Sequence, residues 1–255
     1  KSTIRLYSSY GGIMEEQNKI AVLNRDVIKY IAMVTMLLNH IATIFLESGA
    51  LHDAFEFIGY FTAPVMCYFL VEGYHYTRSK KKYGQRLLVF ACISQIPYHF
   101  AFQFGNLNMI FTLFICFLIL VAQEKIANPT LCRIVKVLLM LVTIFSDWSV
   151  IAAFCTILLD EAWNDKKKIM RCYGSVYLLF ALLNLMNRLG QYGQEQLLQS
   201  IGFALLSGVA ILCAGFTVCY LYNGKRMEHG KNLSKWFFYI FYPGHLFVLW
   251  MIHVL

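Results

Sequence analysis

The sequence predicts an all-α protein: a polytopic transmembrane helix bundle of about nine spans, nine or ten, whose N-terminus lies on the cytoplasmic side. Three observations carry this. Of the 255 residues, 59% are hydrophobic and only 14% charged, with a mean hydropathy of +0.57, whereas soluble domains carry about a quarter charged residues. The apolar residues gather into runs over Val27–Leu46, Ala54–Val71, Leu87–Phe104, Leu107–Val121, Leu131–Phe145, Trp148–Trp163, Cys172–Leu189, Leu197–Tyr222 and Trp236–Leu255, and a helix of about 20 such residues crosses a bilayer. With the N-terminus inside, every one of the 22 Lys and Arg residues except Arg188 falls on the inner side, as the positive-inside rule requires. The net charge of +8 is then a signal of topology and argues against a nucleic-acid partner. Residues 1–26 form an N-terminal cytoplasmic arm and 27–255 a single bundle.

The first run opens with Asn24 as a plausible N-cap, and it is too long, with flanks too polar, for a cleaved signal peptide. Within KYIAMVTMLLNH, Lys29 and His40 are eleven residues apart, about three turns plus 20°, so they share a helix face roughly 16 Å apart along the axis. Met33, Met36, Thr43 and Glu47 lie on or near that face. Ionisable groups inside hydrocarbon are costly and mark pathways, so this face reads as the wall of a reaction channel. The loop that follows, with Glu47, His52, Asp53 and Glu56 and no cation, gives an acidic outer rim.

The second run ends in VEGYHYTR. Glu72 and Gly73 sit at the inner boundary, and Arg78, Lys80, Lys81, Lys82 and Arg86 follow. They read equally as a cytoplasmic stop signal and as a phosphate-binding patch, since Arg offers phosphate a planar fork and Lys a point charge. The third run carries Gln95, an amide at depth, and Pro97, which predicts a kink. The fourth, fifth and sixth runs are shorter than a straight span needs, which fits helices around a polar cavity or displaced boundaries. Between the fifth and sixth lie Ser146, Asp147 and Trp148. Asp147 either meets His40, fixing its tautomer as a carboxylate does beside an imidazole, or caps the next helix. Small residues in the eighth run suit close helix packing, and oligomeric state, including a homo-oligomer, stays open. The last run holds Pro243, Gly244 and His245 in mid-membrane, with His245 either a hydrogen-bonded core residue or a partner of His40. The eight cysteines show no CxxC spacing, so neither a disulfide nor a metal is expected.

As an ordered set, Lys29 with KYIAMVTMLLNH, VEGYHYTR with Arg86–Leu88, SQIPY at 94–98, Asp147 with Trp148, and FYPGHL at 241–246 resemble the TraX family, integral membrane proteins associated with N-terminal acetylation of pilin. The resemblance covers about residues 25–250. More distantly, the pattern is similar to the acyltransferase 3 family and the lysosomal heparan-glucosaminide acetyltransferase, which keep a polar or basic residue eleven positions before a catalytic histidine. Here those positions are Lys29 and His40; Glu72 departs from the acyltransferase 3 pattern, in which a small residue precedes the glycine.

The resemblance implies acetyl-CoA as donor, bound from the cytoplasm, with Lys29, Glu72, Arg78, Lys82 and Arg86 as binding candidates. His40 is expected to act as base or acyl carrier and Asp147 to orient it, with Asn39, Gln95, Tyr242 and His245 as further candidates. The acceptor would be a peptide N-terminal amine or a glycan or lipid hydroxyl, and the location a bacterial cytoplasmic membrane. Intramembrane His40, Glu72, Asp147 and His245 serve a proton-coupled transporter or exporter equally well; that reading predicts flux without CoA consumption.

Overall fold

The computed structural model describes residues 21–102, 105–228 and 230–255, so most of the expected N-terminal arm, residues 1–20, lies outside the described residues. Among them the chain is helical, with no strand beyond two isolated bridges. The helices are α1 (Arg25–Phe45), α2 (Ala50–Gly59), α3 (Thr62–Tyr76), α4 (Lys80–Phe102), α5 (Met109–Lys125), α6 (Pro129–Val142), α7 (Ile151–Glu161), α8 (Lys166–Tyr192), α9 (Leu197–Ser207), α10 (Val209–Phe216) and α11 (Lys231–Val254). A π-helical turn, Thr217–Leu221, extends α10.

Five helical stretches of the described residues are long and apolar enough to cross a membrane: Arg25–Phe45, Ala50–Tyr76, Lys166–Tyr192, Leu197–Leu221 and Trp236–Val254. The expected fourth, fifth and sixth spans correspond to α5, α6 and α7, of 17, 14 and 11 residues, each below the roughly 20 residues that a straight crossing takes.

Local chemistry sets the boundaries. The Asn24 side chain accepts from the backbone N–H groups of Asp26 and Val27, both at 3.0 Å, an N-cap that fixes the start of α1. Asn108 and Asn128 do the same for α5 and α6. The expected loop from Arg78 to Arg86 is helical from Lys80 onward. Both Pro97 and Pro243 lie inside continuous helices.

The expected span Ala54–Val71 lies within the stretch Ala50–Tyr76, in which a turn at Tyr60 and Phe61 separates α2 from α3. Gly59 closes α2 hard against α1, where a Cβ would stand 2.2 Å from Asn39 Cβ, and Asn39 donates from Nδ2 to the Glu56 carbonyl at 3.2 Å. Gly59→Ala is therefore expected to destabilise by about 1–3 kcal/mol, the usual cost of overpacking, read as a lower thermal midpoint of the detergent-solubilised protein.

The central helix is α3, packed on α1, α5, α7 and α10. Its Val65, Cys67, Phe69, Leu70 and Val71 are at most 2% exposed. Helices α4 and α11 pack on one another, and α11 also meets α1. The entry to α1 is clasped by the segment before α11: Leu23 N–H donates to Leu221 O, Asn223 N–H to Leu23 O and Arg25 N–H to Lys225 O, each at 2.9 Å.

Candidate functional site

A cavity of about 420 Å³ runs between α1, α3, α4, α5 and α11. At the end where α1 begins, its wall includes Arg25, Asp26, Lys29, Arg86 and Arg226. Beyond them the wall is apolar and rich in sulfur, with Met33, Met36, Met66, Met109, Ile110 and Leu113. The expected α1 face is thus a cavity wall over Lys29, Met33 and Met36. At its far end the cavity reaches Phe241 and Tyr242.

Four cations at one end need anions. Asp26, 2% exposed, accepts from Ser234 Oγ at 2.7 Å and Met227 N–H at 2.9 Å, with Arg226 Nη2 at 3.7 Å. Glu72 accepts from the Tyr222 hydroxyl at 2.7 Å and pairs with Arg25 Nε at 3.3 Å. Two carboxylates leave a net positive end. Lys29 Nζ lies over the Phe69 and Phe238 rings, 5.6 and 5.0 Å from their centroids, a placement worth about 0.5–2 kcal/mol for a cation. Arg86 Nε is buried without a hydrogen-bond partner among the described residues, although the guanidinium lies 5.8 Å from the Tyr83 ring centroid. A buried donor of this kind costs free energy until an acceptor meets it, and phosphate is such an acceptor.

Of the expected binding candidates, Lys29 and Arg86 line the cavity, while Glu72 stands behind it, holding Arg25. Arg78 and Lys82 are exposed and outside the wall. The reason is depth along the helix: α4 starts at Lys80, and Lys82, on the same face as Arg86 but one turn nearer the helix start, stays in solvent. Arg25 and Arg226 belong to the site and were not singled out in the sequence, where they read as inner-side charge.

His40 is 6% exposed. Its Nδ1 lies 2.8 Å from His245 Nε2, with the two ring planes 12° apart and their centroids at 5.0 Å. Phe102 meets His40 edge-on at 5.0 Å, and Tyr242 packs edge-on against both imidazoles, at 6.4 and 5.6 Å. Neither imidazole is part of the cavity wall; Phe241 and Tyr242 stand between. The expected pairing of His40 with Asp147 is corrected by this geometry, since the nitrogen reserved for the carboxylate is occupied by His245.

Asp147 instead lies half-buried in the connector after α6, within electrostatic reach of Tyr60, Tyr98 and Tyr242. Its backbone N–H donates to Leu107 O at 2.9 Å and its carbonyl accepts from Thr112 Oγ1 at 2.6 Å. Burial pushes its carboxyl up to about 6, against an opposing backbone hydrogen bond from Trp148. The folded state then holds this proton more tightly than the unfolded chain. Stability is expected to fall as pH rises from about 4 to about 6, and Asp147→Asn to flatten that fall in thermal melts across the same window.

Gln95 and Asn39 serve the fold. Gln95 accepts from Asn108 N–H and Asn108 Nδ2, each at 2.9 Å, and donates to Asn106 O at 2.9 Å, which shapes the turn into α5. Tyr242 does touch the site: its hydroxyl oxygen accepts weakly from Met109 N–H at 3.4 Å, where α5 begins. Among the described residues, His52, Asp53 and Glu56 bring three ligand-type atoms within 4.8 Å of one another on α2; this is the acidic rim read from the sequence.

Long apolar helices around a cavity with a cationic end define a helical membrane protein. The family model described as TraX protein matches residues 24–253, and the chain belongs to that family. It is also 27% identical over 241 residues to the probable fimbrial assembly protein FimC, serogroup H1, of Dichelobacter nodosus, an alignment covering 87% of this chain and 92% of that protein. No solved structure matches the chain.

Proposed function

We propose that the protein is an integral membrane acetyltransferase that moves an acetyl group from cytoplasmic acetyl-CoA to an amine or hydroxyl presented at the outer side of a bacterial cytoplasmic membrane. The observation that carries the proposal is the cavity itself, cationic at one end and closing at the other on the residues that enclose His40 and His245. The similarity to a fimbrial assembly protein and the membership of the TraX family favour a peptide N-terminal amine as acceptor.

In this reading the CoA phosphates rest among Arg25, Arg86 and Arg226, with Lys29 one turn deeper. The pantetheine arm lies along Met33, Met36, Met66 and Leu113. The helix rise from Lys29 to His40, about 16 Å, suits an extended pantetheine. A volume of about 420 Å³ is within the usual range for a small-molecule site and takes the arm, leaving the nucleotide at the mouth. The acceptor nitrogen or oxygen attacks the thioester carbonyl carbon, the C–S bond breaks, and the sulfur leaves as CoA thiolate. The proton lost by the acceptor passes to the unprotonated ring nitrogen of His40, in the role of general base, and then to the thiolate. Movement of Tyr242 and Phe241 opens the way between thioester and imidazole.

The topology is part of the proposal: nine passes with a cytoplasmic N-terminus. It is supported by the starts of α1, α4 and α11 and the ends of α3 and α10 meeting at the cationic end, through the Arg25, Glu72 and Tyr222 contacts.

Release of free thiol from acetyl-CoA by the purified protein, with peptide amines or sugars added, tests the reading. Proton-gradient-driven flux without thiol release would favour the transporter instead. Arg86→Ala is expected to raise the KM for acetyl-CoA about tenfold, as loss of one charge-assisted contact does, with kcat little changed. Arg78→Ala should leave KM within about twofold, the reference for an exposed cation outside the cavity.

A further inference from the structure

The two buried imidazoles form a hydrogen-bonded chain whose direction can be read from its end. His245 Nδ1 lies 2.8 Å from the Phe241 carbonyl oxygen. A carbonyl only accepts, so this nitrogen carries a hydrogen. In a neutral imidazole the other nitrogen, Nε2, is then an acceptor. It faces His40 Nδ1 at 2.8 Å, and for a hydrogen bond to exist there His40 must donate from Nδ1. That leaves the lone pair on His40 Nε2, which makes no hydrogen bond among the described residues.

The alternative, a cationic His245 donating from both nitrogens, would place a charge at a site where His245 is 8% and His40 6% exposed. No carboxylate hydrogen-bonds to either ring among the described residues, and an unpaired buried charge is costly. The rings have little freedom to choose another arrangement. Phe241 stacks on His245 at 4.8 Å and 15°, and Phe102 abuts His40.

We infer that His245 is a positioning residue, which holds His40 in its Nδ1–H tautomer and so makes Nε2 the proton-accepting atom. The role is the one a carboxylate fills beside a catalytic histidine, here taken by a neutral ring anchored on a backbone carbonyl. The catalytic consequence rests on the acetyltransferase reading; the tautomer does not.

Three variants separate the acceptor from the packing. His245→Gln sets an amide oxygen near the position of Nε2 and can still accept from His40. His245→Asn can meet the Phe241 carbonyl but falls short of His40. His245→Phe keeps an aromatic ring in the stack with no acceptor. At saturating acetyl-CoA, kcat is expected to fall about 100-fold or more in the Asn and Phe variants, the scale of a lost general base. The Gln variant should stay within about tenfold of the parent, and KM for acetyl-CoA should be unchanged in all three.

Nitrogen-15 spectra of the full-length, histidine-labelled protein in detergent supply a readout independent of turnover. His40 should show a protonated Nδ1 and an unprotonated Nε2 in the parent and the Gln variant, and lose that pattern in the Phe variant. A parent His40 protonated at Nε2 overturns the inference, as does a folded Phe variant with parental kcat. If the parent releases no thiol, the acetyltransferase reading fails and the spectra still decide the tautomer. If the Phe variant does not fold, the Gln and Asn comparison and the parent spectrum decide it.

Discussion

His40→Ala is expected to lower acetyl transfer by about 10²–10⁴-fold, the range that a positioned acid or base contributes, while donor binding survives. The cations that would hold CoA lie on other turns and other helices: Arg25 and Lys29 at the start of α1, Arg86 on α4 and Arg226 before α11. A CoA-induced rise in thermal midpoint should therefore persist in the variant. Truncation leaves a space beside Phe102 and Tyr242 and removes the donor to His245, so some loss of stability accompanies it. Retained turnover by purified, folded His40→Ala would remove the central assignment.

The largest expected effect on stability is that of Glu72→Ala. The Glu72 side chain is 8% exposed and that of Arg25 21%, and between them they link α3 to α1, with Tyr222 completing the contact. Removing one partner of a buried pair strands the other charge, at a cost of about 3–5 kcal/mol; the partial exposure of Arg25 places the expectation near the lower figure. Chemical denaturation in detergent should show it as a lower midpoint. Glu72→Gln, which can still bond Tyr222, should lose less. A midpoint unchanged in Glu72→Ala would mean that the pair contributes nothing to holding α3 against α1.

Much of the first helix was legible because its signals are local. Asn24 caps it, Lys29 and His40 share a face by helical geometry alone, and the cavity follows that face through Met33 and Met36. Arg86 was legible as a phosphate candidate by residue type. Its separation from Lys82 and Arg78 was not, because that depends on where α4 begins and how deep each of its turns lies. The turn at Tyr60 and Phe61 was hidden inside an uninterrupted apolar run, which reads the same whether it is one helix or two. From the sequence His245 and Asp147 are both available to His40, and a carboxylate is the better chemical match for an imidazole. What decides between them is the packing of α11 on α1, and no periodicity records which helices become neighbours. Arg226 was illegible for the same reason: a cation in a loop signals the side of a membrane long before it signals a ligand.

The clasp between Leu23 and residues 221–225 has a consequence for biogenesis. Its two segments are about 200 residues apart in the chain, and at synthesis rates of about 5–20 residues per second the ribosome needs roughly 10–40 s to supply the second after the first. The opening helix thus waits, inserted but unfastened, until residues 221–225 have emerged, and the cavity cannot close before α11 arrives. Nascent chains stalled short of residue 221 should accordingly leave the stretch around Arg25 open to protease, and chains extended through α11 should seal it.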